Sequence, residues 1–549
     1  MAGRKQPPVW KARLSKFLPG IVVAAFAIMP VFGYLKTNFT DLQPGGTLGL
    51  LLFAVLVGAV LWGIGWLATR DWRRGAVVGV LLTFPFFHYK ELLDWFVASV
   101  TQSRPRTVIL VGVLILAALI GWGLRKLSDK TIRTVLSYLG VVAVIFFAWN
   151  GVGMIQESFK NAGTSVRAVN DDLTASPRTA APKDSPDIYY LVFDRYTGSI
   201  GLSESYDFDN GKFLTQLQRR GFYVPKRSFA NYPVTASSVS SSLNGGPLAT
   251  KGPVDRAETA KPLYKLLQRP AVPAYLQDRG YEFVQLGSWW GPTMRSQQAD
   301  RNPLTAWMVE VFGIQTHFGD LSGVFINKTA FPDLFTKLPS ARTTLYDNHG
   351  PAFQSQVTQT EDLAAERGGK PKFVFTHFLM PHPPYIYDRD GDRLFPRGLS
   401  GWHRYLRQLE YTNDRILEMV DTIRKRDPHA IVILQADEGE YPKRFAKDAK
   451  PSDAQIRQKT NVLNAYYFPG EDYDALYDSI TPVNTFRIVL NQFFGTDLAK
   501  QPDVTHTLGG RRNYLDFVDV TDIVRAEPGP PGSGNPAIKP TLPGPQARN

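Results

Sequence analysis

The stretch TLGLLLFAVLVGAVLWGIGWLA (47–68) has no charged residue and reaches the length of about 20 residues that a helix needs to cross a bilayer. Further apolar runs lie on either side of it, at 17–35, 75–89, 107–124 and 133–154. The short run at 75–89 is extended by ELLDWFVASV (91–100), which is predicted to be an interfacial piece. Buried helices of a soluble protein would be the alternative, but so many near-continuous apolar runs are hard to bury in one hydrophobic core. Residues 1–154 are therefore predicted to form a transmembrane bundle of about five spans.

The net charge of +13 belongs mainly to this bundle. Residues 1–154 hold 16 Lys and Arg against 5 Asp and Glu, so 11 of the 13 excess positive charges lie beside the apolar runs. A nucleic-acid-binding surface would need clustered Lys and Arg on the rest of the chain, which is almost neutral. No nucleic-acid partner is therefore expected.

The same charges predict an orientation. With the N-terminus inside, the inner segments carry 12 Lys and Arg and the outer segments carry 4, as the positive-inside rule requires. An odd number of spans then places everything after residue 154 outside the cytoplasm. A cleaved signal peptide is the alternative for the first run, but no small-residue cleavage site precedes LKTNF (35–39).

One large domain, 187–525, is predicted between a polar linker (155–186) and a Pro- and Gly-rich tail (526–549) that is expected to be disordered. The absence of cysteine excludes disulfides, thiolate metal sites and a cysteine nucleophile. Between residues 406 and 423, apolar side chains recur every three or four positions, which predicts a helix. Strands are predicted at 187–193, 282–287, 372–378, 430–436 and 462–468. Strands that alternate with helices predict an α/β/α sandwich, a sheet covered on both faces.

Two of the predicted strands end in carboxylates. DIYYLVF (187–193) runs into Asp194, and AIVILQA (430–436) runs into Asp437 and Glu438. One acidic residue in such a place can be a surface turn former. Two such strands in one sheet resemble a hard-metal site instead, since ligands bind beyond the carboxyl ends of the strands.

Two further segments carry candidate chemistry. NYPVTASSVSSSLNGG (231–246) predicts a helix with Thr235 at its N-terminal end, where an anion is favoured and where a metal ion would activate the hydroxyl. A polar helix with a Ser/Thr N-cap is the alternative. THFLMPHPPY (376–385) contains His377 and His382, two of only eight histidines. Imidazole could contact phosphate, donate a proton or ligate metal, unless both rings are simply buried and hydrogen-bonded.

These features together resemble the alkaline phosphatase/sulfatase superfamily, and most closely its membrane-anchored branch, the lipoteichoic acid synthases and phosphoethanolamine transferases. The resemblance covers about residues 186–500, and the five spans with an extracytoplasmic catalytic domain fit the same branch. DIYYLVFDRY (187–196), FANYPVTASSVSSSLN (229–244) and ITPVNTFRIVLNQFFG (480–495) look like bacterial sulfatase-like hydrolases or transferases.

The resemblance implies roles for individual residues. Asp194 and Asp437 would ligate a metal ion, and Thr235 would be both a ligand and the covalent nucleophile. His382 would contact the transferred phosphoryl group. The resemblance further assigns substrate contacts to His377 and, within GSWWGPTMR (287–295), to Trp289, Trp290 and Arg295.

The sequence departs from the family pattern at two places. The Thr235 segment lacks the Cys or Ser, Pro and Arg of the formylglycine motif, so sulfate-ester hydrolysis is not expected. The Asp-His-Gly of the family reads Asp437-Glu438-Gly439 here. With Glu438 as a ligand, the site would have three carboxylates, which predicts one divalent metal ion and favours Mn, Mg or Ca over Zn.

The sequence thus predicts a metal-dependent transferase in the bacterial cytoplasmic membrane. It would move a phosphoryl-linked headgroup from a membrane lipid donor to an envelope glycan or glycolipid acceptor, through a phospho-threonine intermediate. A phosphodiesterase that uses water as acceptor is the first alternative. A catalytically degenerate domain that binds envelope lipid or glycan is the second, and the Glu438 substitution is its main support.

Overall fold

The computed structural model describes residues 9–37, 44–99, 105–160, 164–176, 185–252, 260–288, 290–303, 325, 329–330, 345–392, 399–440, 451–510 and 513–534. The chain forms two compact units: Met1–Lys160 with Val311–Leu345, and Asn161–Glu310 with Tyr346–Asn549. The predicted domain 187–525 is therefore interrupted, because residues 311–345 group with the first unit.

The first unit contains the apolar helices predicted from the sequence. They are α1 (Val9–Thr37), α2 (Pro44–Thr69), α3 (Trp72–Phe87), α4 (Tyr89–Ser99), α5 (Pro105–Arg125) and α6 (Asp129–Lys160). Among the described residues, three helical stretches are long and apolar enough to cross a membrane: Lys16–Lys36, Thr47–Thr69 and Asp129–Gln156. A shorter apolar stretch is Val111–Arg125. A membrane unit is thus confirmed, while the count of five spans stays a prediction.

Glycines bring α2 and α3 into backbone contact. A Cβ at Gly65 would lie 2.3 Å from the Gly75 carbonyl oxygen, and a Cβ at Gly75 would lie 2.6 Å from the Trp66 nitrogen. Small residues allow such close approach between helices in a membrane. Asp71 accepts hydrogen bonds from two backbone N–H groups at the start of α3, so the turn between the two helices is capped.

Part of the inserted segment packs on these helices. Phe325 is buried in an apolar cluster with Val31, Leu50 and Phe87. The backbone N–H of Ala330 donates to the carbonyl oxygen of Phe86 over 2.9 Å. Phe325 and Ala330 therefore pack within the first unit.

The second unit is an α/β/α sandwich. Its elements are β1 (Ser165–Ala168), α7 (Asp171–Ala175), β2 (Ile188–Phe193), α8 (Ser199–Tyr206), α9 (Gly211–Arg219), α10 (Thr235–Asn244), β3 (Leu248–Lys251), α11 (Lys261–Gln268), α12 (Ala271–Gln277), β4 (Glu282–Leu286), α13 (Gly291–Met294), α14 (Leu345–Ala365), β5 (Lys372–Phe378), α15 (Gly401–Arg426), β6 (Ile431–Ala436), α16 (Asp453–Thr460), β7 (Asn464–Tyr467), α17 (Pro482–Phe494), β8 (His506–Leu508), β9 (Phe517–Asp519) and α18 (Thr521–Arg525). All five predicted strands form one sheet in the order β4-β5-β2-β6-β7. Only β7 runs antiparallel to its neighbour.

Side-chain alternation divides the sheet into two apolar faces. Tyr189 and Leu191 of β2 pack into one cluster, with side chains of α8, α9, α14 and α15. Tyr190 and Val192 pack into the other, with side chains of α10, α12 and α17. Because successive residues of a strand point to opposite faces, both faces are covered and the sheet is fully buried.

The structure corrects both predicted boundaries of the domain. Within the predicted linker 155–186, β1 pairs antiparallel with β3, and α7 follows it. In the predicted disordered tail, Gly532 and Gly534 donate backbone hydrogen bonds to Ser203 and Glu204. Residues 526–534 are therefore ordered, and 535–549 lie outside the described residues.

Candidate active site

Three parallel strands bring Asp194, His377 and Asp437 to one face of the sheet. In the register, Val192 of β2 pairs with His377 of β5 and with Gln435 of β6. Since side chains alternate with a period of two, Asp194 and Asp437 point to the same face as Val192 and His377. The carboxyl ends of adjacent parallel strands thus form a cluster of ligand atoms, as the sequence predicted for Asp194 and Asp437.

The geometry of this cluster suits a metal ion. One ligand atom from each of Asp194, His377 and Asp437 lies within 4.8 Å of the others, and all three residues are buried. The His377 Nε2 and Asp437 Oδ2 atoms are 3.9 Å apart. Both atoms, together with Asp194 Oδ1, are buried without a hydrogen-bond partner among the described residues. Buried polar atoms without partners are rare in proteins, and a bound cation would satisfy all three.

The protonation equilibria also suit a cation site. Burial and the neighbouring charges of Asp437 and Glu438 raise the pKa of Asp194 well above its usual value. Burial likewise raises the pKa of Asp437, while the hydrogen bond from Thr235 opposes that rise. Burial lowers the pKa of His377 to about 3, so its imidazole is neutral at pH 7 and can act as a ligand. Like charges held together in a buried site favour binding of a positive ion.

A hydroxyl pair orients the His377 ring. Thr293 Oγ1 lies 2.9 Å from His377 Nδ1, and Ser288 Oγ lies 2.7 Å from Thr293 Oγ1. Thr293 is held in place because Gln285 donates to its carbonyl oxygen. When Nδ1 donates to Thr293, the Nε2 lone pair faces the two carboxylates, which is the usual outer-shell arrangement of a metal-bound histidine.

Thr235 begins α10, which packs on the same face of the sheet through Val239 and Leu243. The N-cap residue is Val234, which makes no side-chain cap hydrogen bond, so the alternative of a Thr235 N-cap does not hold. The Thr235 hydroxyl instead lies beside the Asp437 carboxyl, whose pKa it lowers. Its side chain is half-buried, so the nucleophile candidate lies beside the ligand cluster and remains accessible.

The serines that follow Thr235 are structural. Ser237, Ser240 and Ser241 each donate their hydroxyl to a backbone carbonyl oxygen of α10 or of a neighbouring segment. Ser238 Oγ differs, since it is buried without a hydrogen-bond partner among the described residues, one turn after Thr235. The run therefore provides close packing, not several nucleophiles.

Arg195 follows Asp194 in a left-handed backbone conformation with φ of 61°. That conformation is costly for a residue with a side chain, and here it lets the Arg195 N–H donate to Asp437 Oδ1 over 3.2 Å. The Arg195 carbonyl oxygen accepts from Tyr405, and its guanidinium lies 3.4 Å from Glu438. The arginine was not singled out in the sequence, although it directly follows the first predicted ligand.

Glu438 is buried beside the cluster but does not belong to it. Its Oε1 lies 2.8 Å from the Nζ atom of Lys459, a fully buried lysine near the end of α16. Nothing in the sequence marked Lys459, because it belongs to an ordinary polar helix, Asp453–Thr460, whose residues carry no sign of a buried charge. The ligand set inferred from sequence thus gains His377, while Glu438 has a cationic partner of its own.

The remaining predicted residues are placed differently. His382 follows β5, its Nδ1 contacts the Pro383 carbonyl oxygen, and burial and the charge of Arg195 hold its pKa well below the usual value. The Trp290 ring meets the His377 ring edge-on, with centroids 5.8 Å apart. Arg295 is exposed at the end of α13, away from the buried ligands, and Trp289 lies outside the described residues.

Comparison with known protein families identifies the family of the chain. A family model described as Sulfatase matches residues 201–492. The chain belongs to the sulfatase family. The predicted superfamily is thereby confirmed, and with it an enzyme of the phosphoryl-transferring or hydrolytic kind. No curated protein matches the chain.

Solved structures match the chain at low identity and with low TM-scores. The zinc complex of the C-terminal periplasmic domain of EptC from Escherichia coli is 13% identical, with 65% of this chain and 95% of that chain covered and a TM-score of 0.40. The integral membrane lipooligosaccharide phosphoethanolamine transferase A from Neisseria meningitidis is 12% identical, with 86% and 95% covered and a TM-score of 0.35. A protein of the alkaline phosphatase superfamily from Vibrio parahaemolyticus is 13% identical, with 60% and 74% covered and a TM-score of 0.36.

Proposed function

We propose that this sulfatase-family member is a membrane-anchored, metal-dependent transferase. It moves a phosphoryl-linked headgroup from a membrane lipid to an envelope glycan or glycolipid through a phospho-threonine intermediate at Thr235. The observation that carries the proposal is the position of Thr235. Its hydroxyl lies close enough to Asp437 to lower the pKa of that carboxyl, beside three buried ligand atoms that have no hydrogen-bond partner among the described residues.

A divalent metal ion fits the cluster. Among the described residues, four carboxylates (Asp194, Asp437, Glu438, Glu440) interact electrostatically with two cations (Arg195, Lys459), so one dication would balance the charge. Asp194, His377, Asp437 and the Thr235 oxygen would hold it. When bound, the ion would lower the pKa of the Thr235 hydroxyl and offset charge on the phosphoryl oxygens.

The preference for Mn, Mg or Ca inferred from Glu438 assumed three carboxylate ligands. An imidazole replaces one of the three carboxylates counted in the sequence, and Glu438 is paired with Lys459. A mixed nitrogen and oxygen site suits zinc or manganese better than calcium. We therefore propose zinc or manganese as the resident ion.

The residues of the site divide the transfer between them. Asp437 lies beside the Thr235 hydroxyl and orients its oxygen for attack on phosphorus. As the bond from Thr235 to phosphorus forms, the bond from phosphorus to the lipid glycerol oxygen breaks, and the proton that Thr235 gives up ends on the departing glycerol oxygen. The free N–H groups at the start of α10 and the Arg195 guanidinium favour the anionic phosphoryl group. An acceptor hydroxyl then attacks phosphorus, and the Thr235 oxygen leaves and regains its proton.

The membrane unit suits a lipid donor, because anchoring confines enzyme and lipid to one plane. The Lys and Arg asymmetry supports an N-terminus inside the cytoplasmic membrane and a catalytic unit on the extracytoplasmic face. ATP is absent from that side, so the transferred group must come from a donor already in the membrane or envelope. A neighbour's description as a lipooligosaccharide phosphoethanolamine transferase is in keeping with this donor and acceptor.

Intact-protein mass spectrometry of the full chain, after exposure to donor phospholipids, tests the intermediate. We expect a headgroup-phosphate adduct in the native protein and in Ser237→Ala, whose hydroxyl donates to the Val234 carbonyl oxygen just before α10. Thr235→Ala should have no adduct and no turnover. An adduct on Thr235→Ala, or full activity of that variant, would refute the assignment.

Two further measurements separate the alternatives. A product assay with and without a glycan acceptor distinguishes a transferase from a phosphodiesterase, since only the second step differs. A deletion strain that is fully complemented by Asp194→Asn and Asp437→Asn would support a binding domain without catalysis.

A further inference from the structure

The Glu438 carboxylate stands where the family motif has histidine, and its contacts define its role. Its side chain is almost completely buried, and its Oε1 is 2.8 Å from Lys459 Nζ and 3.4 Å from Arg195 Nε. One of its two oxygens is thus engaged by two cations. Such a pairing weakens Oε1 as a metal ligand, because the lone pairs of that oxygen are already used, whereas Oε2 is buried without a hydrogen-bond partner among the described residues.

Lys459 is fixed against Glu438 by the backbone. The Gly439 N–H donates to the Lys459 carbonyl oxygen over 2.7 Å, and the Lys459 ammonium donates to the Gly439 carbonyl oxygen over 3.3 Å. A Cβ at Gly439 would lie 2.0 Å from the Gln458 carbonyl oxygen, so only glycine allows this approach. The glycine of the Asp437-Glu438-Gly439 motif therefore brings the buried ammonium to the carboxylate.

The ligand atoms that face one another come from other residues. Asp194, His377 and Asp437 form the group in which each offers an atom within 4.8 Å of the others, and Glu438 is not part of it. The imidazole missing from the motif is thus supplied by His377 of the neighbouring strand β5.

We propose that Glu438 is not a metal ligand but the anionic half of an internal ion pair with Lys459, and that His377 takes over the nitrogen ligand. Lys459 then serves as a fixed cation that leaves the site with room and charge for a single dication. The inference rests on the proposed metal centre but not on the identity of the substrate.

The paired charges predict a particular pattern of variants. Glu438→Gln with Lys459→Met removes both charges at once, so the double variant should still bind one Zn²⁺ or Mn²⁺ per chain, with a Kd within about threefold of native. Lys459→Met alone removes one of the two cations beside Glu438 and leaves Arg195, so a dication in the site should meet less repulsion and Mn²⁺ affinity should rise about tenfold. The matched control is Lys372→Met with Asp187→Asn. These two side chains form another buried ion pair, at 2.7 Å, at the start of β5 and just before β2, which are the strand ends away from the ligand cluster.

The measurements are metal content after dialysis and Mn²⁺ titration, made on the full chain in detergent. Loss of metal from Glu438→Gln and from the double variant, with the control pair still loaded, would overturn the proposal. The native protein provides a second test of the ligand set, which does not depend on whether a variant folds. Pulsed EPR of bound Mn²⁺ should detect one coupled imidazole nitrogen that His377→Ala removes and Glu438→Gln retains.

The absence of that nitrogen signal from the native protein would equally overturn the proposal. The proposed function fails on a separate result, an adduct that survives in Thr235→Ala with metal still bound. The two failures are therefore distinguishable.

Discussion

Thr293→Val removes one hydroxyl next to the His377 ring while it leaves the shape of the side chain almost unchanged. The hydroxyl lies 2.9 Å from His377 Nδ1 and 2.7 Å from Ser288 Oγ, and all three side chains are buried. Without it, the His377 ring loses the partner that keeps the proton on Nδ1, and Nε2 can no longer be held as the free lone pair. We expect the metal ion to be bound more weakly for that reason.

The size of the effect follows from the contacts that are lost. A buried group left without its hydrogen-bond partner costs about 1–3 kcal/mol. Removal of the outer partner of a ligating histidine weakens metal binding by about 10- to 100-fold, which corresponds to about 1.4–2.7 kcal/mol. Both ranges agree, so Kd for Zn²⁺ or Mn²⁺ should rise by one to two orders of magnitude.

Competition titration of the full chain in detergent, against a chromophoric chelator, measures this Kd. Thr293→Ser keeps the hydroxyl and should restore most of the affinity. Thr376→Val is the matched control, because the Thr376 hydroxyl is buried one residue before His377 without a hydrogen-bond partner among the described residues. Native affinity in Thr293→Val, or an equal loss in Thr376→Val, would refute the role of the hydroxyl pair.

Other perturbations test the remaining parts of the molecule. Gly65→Ala places a Cβ 2.3 Å from a backbone oxygen of α3 and should lower the unfolding temperature in detergent by several degrees, whereas Gly63→Ala, with no atom within 4 Å of its Cβ, should not. Glu204→Gln breaks a buried pair with Arg457 at 2.6 Å and should lower the free energy of unfolding at pH 7 by about 3 kcal/mol. Burial raises the pKa of Glu204, but the hydrogen bonds that it accepts and the charge of Arg457 together outweigh burial, so the pKa is lowered overall. The stabilisation from the ion pair is therefore present above about pH 4.5 and is lost as the pH falls further. Chemical denaturation at pH 3 should show a smaller difference in stability between the native protein and Glu204→Gln. A chelator should lower the unfolding temperature of the native protein at pH 7, and Asp437→Asn should reduce that difference, because the ion bound to the cluster stabilises only the folded chain.

The regular elements could be predicted because their signals are local. Each predicted strand, such as 372–378, coincides with a strand of the central sheet, and each apolar run of the first unit coincides with a helix. Hydrophobic periodicity reports a buried face without reference to distant residues. One position on the apolar face of α15 is occupied by a polar residue, Asn413. Its side chain is buried and donates a hydrogen bond to Asn210, so this position also belongs to the core.

Pairings between distant segments could not be predicted in the same way. The strand β1 pairs with β3 across more than 80 residues, and its four residues carry no pattern that distinguishes them from a linker. The insertion of 311–345 into the membrane unit depends on contacts such as that of Phe325 with α3, which no local pattern encodes.

By itself, the sequence determined the membrane helices and the strands of the sheet, because their own residues specify them. It also determined the acidic strand ends Asp194 and Asp437 and the candidate nucleophile Thr235, because each lies at the end of such an element. Tertiary structure alone decided which groups meet beyond those ends. The register of β5 against β2 brought His377 to the carboxylates, and the close approach allowed by Gly439 brought Lys459 to the motif glutamate. Ligation and charge balance act over a few ångströms in space, so they depend on strand order and backbone approach and not on the spacing of residues along the chain.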